Sequence, residues 1–224
     1  IKPMNPCDHD CWYCAYHVDN LQLGNLMEYK DRLPREKMLE IADDLAEMGV
    51  QAVTFSGGGE PLIYPYIAEA VNRLGCSGIK VATLTNGSHL HEDIAEAFAR
   101  YGTWIRISID GWNAESYAKI RNVKLSEFDL VINNMRNFAN LDSSCVLGIN
   151  YVIDNDNFRH VFEFSKLMKD VGVNHLKIMG VLVSNEGAEC NDYHDKIRDT
   201  VQEQIIKAKG LEDEKFKIID HYHE

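Results

Sequence analysis

Short apolar, β-branched runs alternate along the chain with longer stretches in which apolar residues return every three or four positions. The runs "IKPM" (1–4), "QAVTFSG" (51–57), "KVATLTNG" (80–87), "TWIRISIDG" (103–111), "CVLGINYVID" (145–154) and "HLKIMGVLV" (175–183) predict six strands. Between them "PREKMLEIADDLAEMG" (34–49) opens on Pro, closes on Gly and repeats at helical spacing. "PYIAEAVNRLG", "HEDIAEAFARYG" and "RHVFEFSKLMKDVG" follow the same grammar, and a further helix is expected over about 125–140. After Ser184 the pattern loosens into "NEGAECNDYH", a charged helix to about residue 209, and "KFKIID" as one more candidate strand.

Strand–helix alternation predicts βαβ units and a parallel sheet, and right-handed crossovers curl such units one way. The expected fold is α/β: a partial (β/α)6 TIM-like barrel, an open parallel sheet with outer helices, because a closed barrel needs eight strands. Residues 1–184 form that barrel, and 185–224 read as a C-terminal segment, the start of a truncated extension. Ligands in this architecture bind where strands hand over to helices. The loops "NPCDHDCWYCAYH" (5–17), "GGGEP", "TNGS" and "SIDG" all follow strands, so they share one rim.

Composition narrows the function classes. Of 224 residues 45% are hydrophobic and 26% charged, enough for a core under a solvated surface. A net charge of −12 argues against nucleic acid as substrate, since that affinity comes from Lys and Arg on phosphates. No apolar run reaches the roughly 18–20 residues of a membrane span, and no secretory pattern opens the chain, which reads as beginning inside a longer protein. Six cysteines are too few for a disulfide scaffold; three in one loop point to metal in a reducing compartment, the cytoplasm.

Those three, Cys7, Cys11 and Cys14, are spaced C-x-x-x-C-x-x-C. A closed zinc site wants four ligands, whereas a cubane iron–sulfur cluster held by three thiolates keeps one iron open. Zinc completed by His9 or His17, or three unrelated thiols, are the alternatives. In "SGGGEP" (56–61) consecutive glycines permit close backbone approach, and the Gly-Lys-Ser/Thr ending of a phosphate loop is missing.

Together, the cysteine spacing with Tyr13 before its last thiol and Gly-Gly-Glu-Pro one β-α unit later resemble the radical S-adenosylmethionine enzymes. The likeness runs from residue 1 to about 184. It implies a [4Fe–4S] cluster on Cys7, Cys11 and Cys14, whose fourth iron is chelated by S-adenosylmethionine. It also implies that Tyr13 lies on the adenine side and that Gly58, Gly59 and Glu60 receive the methionyl ammonium. Ser108 and Asp110 are placed for ribose or nearby polar contacts, and Arg121 for the methionyl carboxylate. Asn150 is expected near the ribose, with Met179 and Val181 packing on adenine; core positions are the equal alternative. The implied chemistry is reductive: an electron enters the cluster, the sulfonium C–S bond breaks, and a 5′-deoxyadenosyl radical abstracts a substrate hydrogen inside an apolar barrel.

Members with GGEP and "SIDG" often resemble the branch carrying a C-terminal SPASM or twitch module, whose cysteine pattern is absent here. The implied partners are a reductant such as flavodoxin or ferredoxin and a peptide or small-molecule substrate, carbohydrate included. An activase placing a glycyl radical on a partner enzyme, and a non-catalytic iron–sulfur or zinc protein, are the competing readings. Cys190, beyond strand six, is a candidate catalytic hydrogen donor or a further cluster ligand. Cys76 and Cys145 are expected as buried small hydrophobes. Tyr16, His17, Asn86, His89, Arg106 and Lys177 stay unassigned as polar residues on or near rim strands.

Overall fold

The computed structural model describes residues 1–18, 21 and 23–223. Its elements run in order α1 (Arg35–Glu47), β1 (Ala52–Phe55), α2 (Ile67–Cys76), β2 (Lys80–Thr85), α3 (Glu92–Tyr101), β3 (Gly102–Ser108), α4 (Ala114–Arg121), α5 (Ser126–Ala139), β4 (Val146–Ile153), α6 (Val161–Val171), β5 (His175–Gly180), α7 (Gly187–Asp195), α8 (Arg198–Lys209) and β6 (Lys217–Asp220). The six strands are all parallel and lie in the order of the chain, β1 to β6. Sequential order with crossovers of one hand puts every helix on one side, so the sheet curls into an open partial barrel.

The two faces of the sheet differ as that topology requires. On the convex face Val81, Ile105, Ile107, Ile149, Tyr151, Leu176 and Ile178 are fully buried beneath the helices. Tyr151 stacks on Phe164 of α6 at 4.3 Å between ring centroids, tying sheet to helix layer. The alternate residues point into the barrel. Register sets them in rows: Leu84, Arg106, Gly148, His175 and Lys217 across β2 to β6, and one row toward the rim Ser108, Asn150, Lys177 and Ile219. This concave face carries cations among the apolar side chains expected there.

Two further expectations change. Residues 1–4 form no strand: Pro3 has no N–H to offer a ladder, and Met4 makes only an isolated antiparallel bridge to Arg32. The segment still follows β1, with Ser56 N–H donating to Ile1 O at 3.0 Å and Gly59 N–H to Met4 O at 3.2 Å. The sixth strand is instead Lys217–Asp220, paired with β5. Cys145 is buried as expected, but Cys76 is exposed at the end of α2, its Sγ 3.2 Å from Tyr101 Oη. No helix among the described residues is long and apolar enough to cross a membrane.

Candidate active site

The cysteine loop is held at its start and its middle by backbone groups of the glycine turn and of a helix end. At its start Glu60 N–H donates to Pro6 O at 2.9 Å. At its middle Asp10 N–H donates to Arg121 O at 3.0 Å and Trp12 N–H to Ile120 O at 3.4 Å. Those carbonyls are orphans of the C-terminus of α4, which must find donors outside the helix. The helix ends there because Asn122 adopts the left-handed conformation at φ 51°, and it begins at Asn113, which forms a capping box with Ser116. Arg121 is therefore fixed beneath Cys11.

Asp8 and His9 tie the same loop to the β2–α3 connection. Asn86 Nδ2 donates to Asp8 Oδ1 at 2.6 Å, and His9 Nε2 lies 3.0 Å from Ser88 Oγ. Asn134, buried on α5, holds the carbonyls of Gly87 and Ser88 at 3.0 and 2.8 Å. Four loops thus meet around one cavity of about 450 Å³ at the carboxyl ends of the strands.

Cys7, Cys11 and Cys14 are free thiols lining this cavity, with Tyr13, Gly58, Gly59, Glu60, Ser108, Arg121, Asn150 and Met179. Asp110, Val181 and Cys190 do not line it. Asp110 lies fully buried beneath, accepting from Tyr13 Oη, from Arg121 Nη2 at 2.5 Å and from Val152 N–H at 2.9 Å. Val181 is buried, its carbonyl 2.9 Å from His194 Nε2 of α7. Cys190 sits on α7 and donates to Ser184 O at 3.3 Å. Thr85, Leu84, Val152 and Leu182, which sequence reading left unassigned, also line the cavity. Thr85 and Asn86 belong to the "TNGS" rim loop, whereas Asn134 carried no sequence signal.

Burial sets the electrostatics. The Cys7 thiol is pushed up to about 12, and Cys11 is raised by burial against the opposing charge of Arg121. Holding metal as thiolates would release those protons. Arg121 Nη1 is 3.4 Å from Cys11 Sγ and Nη2 is 2.9 Å from Ser108 Oγ, while its buried Nε has no partner. Glu60 is desolvated to about 7 although its oxygens accept from Leu62 N–H at 2.8 Å, Thr85 Oγ1 at 2.6 Å and Asn86 N–H at 2.7 Å. The donor set fits a thiolate-held cluster with an open position: three sulfurs and no fourth cysteine line the cavity, and a glycine turn without side chains lies beside them. A Cβ at Gly58 would lie 2.6 Å from Met27 Cε.

The Radical SAM superfamily model matches residues 1–168. The chain is 35% identical over 111 residues to an S-adenosylmethionine-dependent nucleotide dehydratase of Flammeovirga pacifica, covering 50% of this chain and 37% of that protein. It is 26% identical over 209 residues to a probable GTP 3′,8-cyclase of Saccharolobus islandicus, covering 92% of this chain and 64% of that protein. The chain therefore spans less than two thirds of the length of these relatives. Among solved structures it superposes on Streptococcus suis SuiB bound to precursor peptide SuiA with a TM-score of 0.70 at 17% identity, covering 97% of this chain and 47% of that one. Native anSMEcpe with bound AdoMet gives 0.63 at 18%, covering 92% and 60%. The family employs a [4Fe–4S] cluster and S-adenosylmethionine, and the protein, an enzyme, belongs to the radical SAM superfamily.

Proposed function

We propose that Cys7, Cys11 and Cys14 hold a [4Fe–4S] cluster, that S-adenosylmethionine occupies the cavity beside it, and that the enzyme abstracts hydrogen from a small-molecule or peptide substrate. When bound, the two groups supply a 5′-deoxyadenosyl radical by one-electron cleavage of the sulfonium, the electron coming from a flavodoxin- or ferredoxin-type donor. The chain's own part is binding and exclusion. Gly58 and Gly59 expose backbone groups without side chains in the way, and Glu60 keeps one of about four lone-pair positions after its three internal bonds. Arg121, tied to Asp110 and Ser108, retains its Nε–H for a carboxylate. Leu84, Val152, Met179 and Leu182 give the cavity an apolar wall against water.

The observation that carries this reading is the convergence of three thiols, the glycine turn and Arg121 on one cavity although they lie up to 114 positions apart in sequence, from Cys7 to Arg121. Anaerobic reconstitution with iron and sulfide, then dithionite and S-adenosylmethionine, tests it. 5′-Deoxyadenosine is expected, and its formation should cease in Cys11→Ala. A protein that takes up stoichiometric zinc and yields none would overturn the reading.

A further inference from the structure

The concave face carries a charge pattern that the cysteine rim does not use. Within the six strands it presents Lys80, Arg106, His175, Lys177 and Lys217, and no Asp or Glu shares the face. The whole chain has 35 acidic and 23 basic residues, so an acid-free cationic surface runs against its composition. Among the described residues no carboxylate forms an ion pair with Arg106 or Lys177.

Arg106 and His175 are built toward each other across β4. The guanidinium lies over the Trp104 ring at 5.2 Å, and its buried Nε has no partner. Gly148 sits in register between the two residues. A Cβ there would lie 2.2 Å from both Cε1 and Nε2 of His175, so the missing side chain lets the imidazole cross the strand. His175 Nε2 is likewise buried without a partner, and burial with the charge of Arg106 keeps the ring neutral. The Arg106 Nε–H is always a donor, so it calls for an acceptor from outside the chain, and the neutral His175 ring leaves that position free of a competing charge.

Arg106, His175 and Lys177 do not line the cavity itself, but strand register places them next to residues that do. Lys177 is in register with Asn150, and Arg106 lies two residues below Ser108, roughly 6.6 Å along the strand. Asn150 and Ser108 both line the cavity, so the cations begin within about one row of it.

Building on the radical reading, we propose that the substrate is a phosphorylated small molecule, its phosphates held by Arg106 and Lys177 and its reacting carbon facing the cysteine rim. A guanidinium matches phosphate bidentately and an ammonium adds a point charge. An acidic peptide fits less well, because its amide N–H groups would meet rows of donors with few acceptors. Two of the chain's relatives are named for nucleotide substrates, a compatible class.

The test is anaerobic calorimetry on the reconstituted protein at 0.15 M salt, with tripolyphosphate, GTP and a Glu-rich peptide as separate probes. Tripolyphosphate and GTP are expected to bind, and Arg106→Gln and Lys177→Gln to weaken both tenfold or more. Arg106→Lys should keep part of the affinity, and Lys119→Gln, on the outer surface, all of it. Absent binding of both phosphate probes, or unchanged affinity in Arg106→Gln and Lys177→Gln, overturns the proposal, as does a peptide that binds tighter than GTP and loses affinity in those variants. S-adenosylmethionine binding in the same sample reports separately on the parent reading: it can persist when the phosphate probes fail, and fail when they bind.

Discussion

Arg121 and Asp110 form an ion pair at 2.5 Å with side chains only 4% and 1% exposed, at the point where α4, β3, β4 and the cysteine loop meet. Asp110 accepts from three elements at once, and Arg121 also donates to Ser108 and Cys11. The pair thus lies beneath the cavity and anchors Cys11.

Removing one partner of such a pair leaves a buried charge uncompensated. Asp110→Ala should cost about 3–5 kcal/mol, read as a drop in the urea midpoint of the metal-free protein. Adding Arg121→Met should recover part of the loss, because the orphaned cation goes too. A loss under about 1 kcal/mol in the single variant would show that the pair carries no such load.

The contact from Arg121 Nη1 to Cys11 Sγ has a redox consequence if Cys11 holds the cluster. A donor on a ligand sulfur, and a positive charge beside it, favour the more negative reduced state. Arg121→Gln should therefore lower the potential, by about 40 mV per 1 kcal/mol of lost differential stabilisation for one electron. A potentiometric titration followed by electron paramagnetic resonance, without S-adenosylmethionine, measures it. An unchanged or higher potential would contradict the assignment.

Glu60 gives the metal-free protein a pH signature. Burial raises its carboxyl from 4.5 to about 7. Below pH 4.5 folded and unfolded chains are both protonated, and the contribution is complete. As pH rises toward 7 the unfolded chain ionises first, so stability falls, by an amount on the order of 3 kcal/mol. Unfolding midpoints between pH 4.5 and 8 should show this slope in the parent protein and a flatter one in Glu60→Gln. Parallel profiles would mean that Glu60 ionises normally in the fold.

Much of the architecture was legible because the convex rows are nearly uninterrupted apolar, β-branched residues: Ile105, Ile107, Ile149 and Ile153 must lie under helices. "IKPM" misled because its apolar letters hide Pro3, and "KFKIID" was weak because four strand residues carry little pattern. Asp110 and Arg121 were both singled out, yet as separate contacts to a ligand. Their pairing depends on where the turn after β3 meets the end of α4, which no local spacing encodes. Arg106 and Lys177 looked like ordinary polar strand residues for a related reason. Alternation tells which side chains share a face of one strand, but only register across β3, β4 and β5 reveals an acid-free row. Asn134 and Asn157 were silent because their partners are distant backbone carbonyls.

The glycine turn and the cysteine loop are so closely packed that a single methyl group should separate them. A Cβ at Gly59 would lie 1.9 Å from Pro6 O and 2.3 Å from Asn5 O, both backbone atoms that cannot rotate aside. Gly59→Ala must therefore push residues 5–7 away from β1, breaking the Gly59–Met4 and Glu60–Pro6 hydrogen bonds and carrying Cys7 from its place. If Cys7, Cys11 and Cys14 hold the cluster, iron bound per chain after reconstitution should fall by about half or more, with the visible absorbance of the cluster, because two remaining thiols hold a cubane poorly. Gly78→Ala is the contrast: at φ +78° it is strained by about 1 kcal/mol, but nothing lies within 4 Å of its Cβ. That variant should lose stability and keep its iron. Equal iron in both variants would show that the glycine turn does not position Cys7.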